Sequence, residues 1–181
     1  VRVVRDGRLL PRPLAVVPTQ AQFEEGLLAV ACDPDFNRTH HVYLLFTAAG
    51  PQRHERLVRM TVSGDTAEAH SDSLLFDLDP HTDVTHVGGA LRFGEDGMLY
   101  VGTGENGIAE HAQDLRSTHG KVLRLRRDGS IPEDNPFWAL TTGRHRSIFA
   151  RGFRNAFSMA VQPGTGRIFV NDVGADSTEE V

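Results

Sequence analysis

The sequence predicts an all-β fold on three observations. Eighteen glycines and nine prolines break the 181 residues into short apolar runs, as turns between strands require. Apolar residues make up 39% of the chain and charged residues 24%, enough for a core and too apolar for a disordered tail. One pattern also recurs three times. An apolar run leads to a turn rich in Asp, Gly or Pro, and a second apolar run ends in small or polar residues.

The first copy is Leu27 to Phe46 (LLAVACDPDFNRTHHVYLLF), the second Ala90 to Gly104 (ALRFGEDGMLYVGTG), the third Phe157 to Gly174 (FSMAVQPGTGRIFVNDVG). Aligning the turns makes Val30, Leu91 and Met159 equivalent. Arg56 to Val62 and Ser73 to Leu78 supply two further strands after the first hairpin. Lys121 to Arg126 and Ser147 to Ala150 do so after the second. Four antiparallel strands per repeat is the blade of a β-propeller. Segments 2–10 and 14–17 (VRVVRDGRLL, LAVV) are expected to be outer strands of a preceding blade. A ring needs roughly four to eight blades. Residues 1–181, with roughly three, therefore read as a partial propeller domain within a longer protein.

In a blade the loop entering the inner strand and the loop leaving the second strand open on the same face. Five residues before the aligned positions stand Glu25, His86 and Arg154, with Glu24 and Asn155 adjacent. All are expected at one channel mouth, beside Thr103 to Asn106 and Asn171 to Gly174. A histidine can take a proton near neutral pH, and an arginine can stabilise charge developing on an oxygen. Carboxylates and carbonyls between Asp172 and Glu180 are hard oxygen donors suited to calcium.

Other classes are disfavoured. A net charge of −5 opposes a nucleic-acid binder that works by neutralising phosphates. No apolar run approaches a bilayer's width, and no charged-then-apolar leader opens the chain. The single cysteine, Cys32, rules out intramolecular disulfides and Cys-based zinc sites, and its apolar neighbours predict a buried thiol. Lys121, the sole lysine, reads as compositional bias. Gly102, Gly104 and Gly107 spell G-x-G-x-x-G with Asp128 downstream, but the strand before them belongs to a repeating hairpin, which counts against a dinucleotide site. His81, His111, His119 and His145 are expected in surface loops, and Arg124, Arg126 and Arg127 on a solvated edge. No G-x-S-x-G nucleophile is present.

Four segments in order carry a resemblance: GLLAVACDPDF (Gly26 to Phe36), HVGGALRFGEDGMLYVGTGE (His86 to Glu105), QDLRSTHGKVLRLRRDGSIPEDNPF (Gln113 to Phe137) and FARGFRNAFSMAVQPGTGRIFVNDVG (Phe149 to Gly174). The chain resembles the glucose/sorbosone dehydrogenase family, the soluble pyrroloquinoline-quinone (PQQ) sugar dehydrogenases. The resemblance implies a six-bladed propeller in the full-length protein, with PQQ at the channel mouth clamped by calcium (Ca2+). It implies oxidation of an aldose to the lactone, a separate electron acceptor, a periplasmic or secreted location and a homodimer, with no nucleic-acid partner and no membrane span. By the same resemblance His86 is the general base and also touches the cofactor, Arg154 is catalytic as well as cofactor-binding, and Asn155 contacts the quinone with it. Glu24 stands where the family has a cofactor-contacting glutamine. Calcium falls on the carbonyls of Gly174 and Ala175 and the carboxylate of Glu180. Three positions depart from the family's pattern: Thr85 replaces the aspartate before the base, Glu24 replaces glutamine, and Ala175 replaces proline. Two rival readings are a non-catalytic ligand-binding propeller and a calcium-dependent lactonase propeller, the latter resting on Glu24, Glu25 and Asp172.

Overall fold

The computed structural model describes residues 1–175. Glu180 lies outside the described residues. Strands β1 (Val4–Arg5) and β2 (Arg8–Leu9) form a small hairpin. Strands β3 (Leu27–Cys32), β4 (His41–Thr47), β5 (His54–Ser63), β6 (Thr66–Ala67) and β7 (Ser73–Pro80) follow. They make the first antiparallel sheet in the order β3-β4-β5, with β5 paired to both β6 and β7. The second sheet has the order β8 (Ala90–Phe93), β9 (Leu99–Gly102), β10 (Lys121–Leu125), β11 (Ile148–Arg151). Strands β12 (Ala156–Val161) and β13 (Ile168–Asp172) form the start of a third. These are two blades and the inner hairpin of another, and the fold is a β-propeller built in four-stranded antiparallel units.

The apolar runs fall where the repeat reading places them. Strand β4, a nearly unbroken run (HVYLLFT), is buried on both faces, as expected of a strand with a sheet packed on each side. Tyr43 and Leu45 face the second blade and join Leu57, Phe76 and Leu78 against Leu91, Leu99, Val101, Leu123 and Ile148. Val42, Leu44 and Phe46 face the other way, with Val58 and Met60. Each fully buried large side chain contributes about 1.5–3 kcal/mol, so the interface between blades is the main source of cohesion. A second such interface joins Ala90, Tyr100 and Val122 to Met159, flanked by Phe149, Ile168 and Val170.

Turn chemistry fixes the hairpins. In the β8–β9 turn Asp96 Oδ1 accepts the Met98 N–H at 3.1 Å, and Gly97 takes φ +74°, which glycine adopts without strain. The β3–β4 turn holds a single helical turn, Phe36–Thr39, closed by His40 at φ +55°.

Four expectations are corrected. Segment 14–17 is not a strand. Leu14, Ala15 and Val17 lie against the outer face of the first blade instead, held by bonds from Ala67 N–H to Leu14 O and from the N-terminus to Ala15 O, both 2.8 Å. Cys32 is exposed, because it ends an inner strand whose side chains alternate towards the channel. Arg124 is buried, not on a solvated edge, and its guanidinium meets Asp96 at 3.0 Å and Asp134 at 2.9 Å. Lys121, read as compositional bias, is fully buried with its ammonium on the carbonyls of His111, Ala112 and His119.

Candidate active site

The inner strands β3, β8 and β12 stand side by side around a cleft lined by Leu27, Val30, Leu91 and Phe157. At one end of it the loops entering these strands meet the loops leaving β9 and β13. His86 sits there at φ +50°. Such a conformation costs a non-glycine residue of order 1–3 kcal/mol and is concentrated at functional sites. The imidazole Nδ1 bonds the carboxylate of Glu105. Because a carboxylate only accepts, Nδ1 carries a hydrogen, so in the neutral ring the lone pair falls on Nε2. The His86 side chain is 20% exposed and that of Glu105 9%, so the ring reaches solvent while its carboxylate lies beneath.

The third repeat is stitched to this pair. The Glu105 N–H donates to Arg154 O at 2.8 Å, and Gly104 bridges Asn155. A Cβ on Gly104 would lie 2.0 Å from His86 O, so only glycine permits the approach. The second glycine of the apparent dinucleotide fingerprint thus serves packing between loops. Asp172, at the end of β13, accepts the N–H groups of Arg154 at 3.0 Å and Asn155 at 2.6 Å. Arg154 Nη1 donates to Val173 O at 3.0 Å and Gly174 O at 3.1 Å. Its Nε and Nη2 have no bond to another described residue. Asn155 is 3% exposed; its Oδ1 accepts the Gly88 N–H at 2.8 Å and its Nδ2 donates to Glu24 at 3.3 Å.

Most of the residues singled out in the sequence therefore meet. Glu24, His86, Arg154 and Asn155 share one mouth, while Gly174 lies under Arg154. The aligned triplet needs one correction: Glu24, not Glu25, faces the site. Glu25 turns inward, where its carboxylate lies 3.4 Å from Arg53 and 3.3 Å from His81 Nδ1. His81, read as a surface residue, has a fully buried side chain, and its Nε2 lies 3.7 Å from Glu55. Burial alone would lower the His81 pKa, but Glu55 and Glu25 together raise it. His119 is 3% exposed with Nε2 on Pro80 O at 3.1 Å, and its burial lowers its pKa. Both histidines occupy the seam between the first two blades, which needs polar partners for the carbonyls and carboxylates it encloses.

The residues missed by sequence reasoning are Glu105 and Asn106, known only as part of a polar loop. Their signal was the run G-E-N-G directly after an inner hairpin. For PQQ, an anionic quinone, the suitable donor present is the Arg154 guanidinium, whose Nε and Nη2 bond no other described residue; the His86 Nε2, as an acceptor in the neutral ring, suits a substrate hydroxyl instead. Of the carbonyls expected to hold calcium, Gly174 O accepts from Arg154 Nη1 together with Val173 O, and the third expected ligand, Glu180, lies outside the described residues. The pair expected from the sequence was Gly174 and Ala175.

The family model described as Glucose / Sorbosone dehydrogenase matches residues 1–181. The chain belongs to that family. Aldose sugar dehydrogenase YliI of Escherichia coli is 31% identical over 97% of this chain and 48% of its own length. Quinoprotein glucose dehydrogenase B of Acinetobacter calcoaceticus is 30% identical over 91% of this chain and 39% of its own. The solved PQQ-bound form of aldose sugar dehydrogenase from Streptomyces coelicolor superposes with a TM-score of 0.73 at 34% identity, covering 94% of this chain and 48% of that one. Human Hedgehog-interacting protein is 31% identical over 82% of this chain and 24% of its own length. The chain thus spans about half the length, or less, of these relatives.

Proposed function

We propose that this chain carries the base-bearing part of a PQQ- and calcium-dependent aldose dehydrogenase. The observation that supports it most is the His86–Glu105 pair, an imidazole at the channel mouth oriented through Nδ1, with Nε2 bonded to no other described residue. His86 Nε2 takes the proton from the hydroxyl on the sugar's anomeric carbon. As the ring becomes imidazolium, the Glu105 carboxylate on Nδ1 stabilises it, and its low exposure strengthens that interaction. When bound, PQQ supplies the two-electron acceptor for the hydride leaving the same carbon. Arg154, anchored on two carbonyls, aims its remaining N–H groups at developing oxygen charge. Asn155 and Glu24 act as struts between repeats, with Glu24 on the rim. Gly174 and Ala175, with Glu180, would hold calcium through hard oxygens.

The Hedgehog-interacting relative keeps a second reading alive, a non-catalytic ligand-binding propeller. The lactonase reading is weaker. Glu25, one of the three carboxylates it rests on, points away from the mouth towards Arg53 and His81. A periplasmic or secreted location belongs to the proposal; among the described residues, no helix is long and apolar enough to cross a membrane. The test is reconstitution of the full-length protein with PQQ and calcium. A visible quinone spectrum and dye reduction with aldoses support the enzyme. PQQ uptake failing together with dye reduction favours the binding propeller.

A further inference from the structure

The residue after Glu105 makes more bonds to the His86 loop than Glu105 does. Asn106 is fully buried. Its Oδ1 accepts the N–H groups of Thr82 at 2.6 Å and Asp83 at 3.0 Å, and the Thr82 hydroxyl at 3.2 Å. Its Nδ2 donates to the carbonyls of Asp83 at 2.9 Å and Thr85 at 3.3 Å. Its own N–H donates to His86 O at 3.0 Å. One amide side chain thus satisfies five groups of a loop that has neither strand nor helix, and the loop ends in the strained His86. Within the loop Asp83 accepts from the N–H groups of Val84 at 2.7 Å and Thr85 at 3.0 Å, but those bonds only fold the loop on itself. Besides the Glu24 N–H on Val84 O at 3.3 Å and the bond of His86 to Glu105, it is Asn106 that ties the loop to the blade.

We infer that Asn106 is a positioning residue for His86: it fixes the backbone of residues 82–86 so that the imidazole meets both Glu105 and the substrate. The kinetic part of this inference rests on the sugar-oxidation reading. Its structural part does not. The side-chain chemistry is specific, since the loop needs an acceptor on one side and two donors on the other, and only an amide has both. Asn106 itself lies at φ +57°, a conformation asparagine tolerates and glycine takes freely.

These features define an experiment. In Asn106→Asp the introduced carboxylate faces two carbonyls, loses both donors and is held protonated to a higher pH than usual by burial. Protonated, it regains one donor. Full-length wild type, Asn106→Asp and Asn106→Gly are compared with and without PQQ and calcium. Turnover of Asn106→Asp should fall on the order of 10²-fold near pH 8, the scale of a misplacement of about 1 Å, and recover towards pH 5 relative to wild type. KM and PQQ affinity should move little. Asn106→Gly should lose turnover similarly at both pH values. In the cofactor-free protein, the His86 imidazole N–H resonance, assigned by its loss in His86→Ala, should vanish in Asn106→Asp near pH 8 and return near pH 5. Wild-type turnover in both variants, or a resonance unchanged in both, would overturn the inference. Should Asn106→Asp not fold, Asn106→Gly decides by the same two readouts. If wild type reduces no dye, sugar oxidation fails as a reading, while the imidazole resonance still decides whether Asn106 positions His86.

Discussion

His86 Nδ1 and the Glu105 carboxylate are hydrogen-bonded between the loop that enters β8 and the loop that leaves β9. The hairpin itself brings them together, because its antiparallel strands return the chain to the same face after nineteen residues. The pair sets the tautomer, so its two halves are separable by mutation. Glu105→Ala is expected to lower turnover of the full-length, PQQ-loaded protein by about 10²-fold through loss of orientation. Glu105→Gln keeps an acceptor oxygen without the charge and should fall between that variant and wild type. Wild-type rates in both would remove Glu105 from the mechanism.

Gly104 offers a test of the close approach between the His86 loop and β9. Gly104→Ala places a methyl group against His86 O, a backbone atom that cannot swing aside. A loss of about 1–3 kcal/mol is expected, read as a lowered denaturation midpoint, together with lower turnover. A midpoint unchanged from wild type would mean the loops separate more easily than their bonding implies.

The blade seam should respond to pH through His81. Its folded pKa is raised by Glu55 and Glu25 against the effect of burial, so the folded state binds its proton more tightly than the unfolded chain does. That stabilisation is complete below about pH 6.5, the unfolded value, and is lost as pH rises through the folded pKa. The cation Arg53 lies 3.4 Å from Glu25, and the neighbouring His119, whose pKa burial lowers, has the opposite slope. Comparing wild type with His81→Gln isolates the term. The difference in melting temperature should narrow as pH rises above about 6.5. A gap constant across that range would show that His81 is not held as an ion between its carboxylates.

Much of this fold was legible because each hairpin repeats the same alternation and the same turn chemistry. Val30, Leu91 and Met159 do lie on the three inner strands. The site was partly legible for the same reason, since His86 and Arg154 enter equivalent strands. The limits came where two neighbouring polar residues compete for one direction. Glu24 and Glu25 are chemically alike, and only the presence of Arg53 and His81 across the seam decides which turns inward. His119 and Lys121 read as surface or incidental residues because their partners are carbonyls, which every residue has and no sequence pattern displays. Segment 14–17 has the composition of a strand but makes only scattered backbone bonds, to Val1 and Ala67, and no ladder. It packs largely by its side chains.

The most direct test of the account is His86→Ala in the full-length protein reconstituted with PQQ and calcium, assayed by dye reduction with a panel of aldoses. General acid–base catalysis contributes roughly 10²–10⁴-fold, and the variant should lose that much turnover. It should still bind PQQ nearly as wild type does, since the imidazole meets the sugar more than the cofactor. Arg154→Ala supplies the contrast, with slower turnover and weaker PQQ binding together. His86→Ala turning over at the wild-type rate, in a protein whose wild type is active, would contradict the assignment of the base.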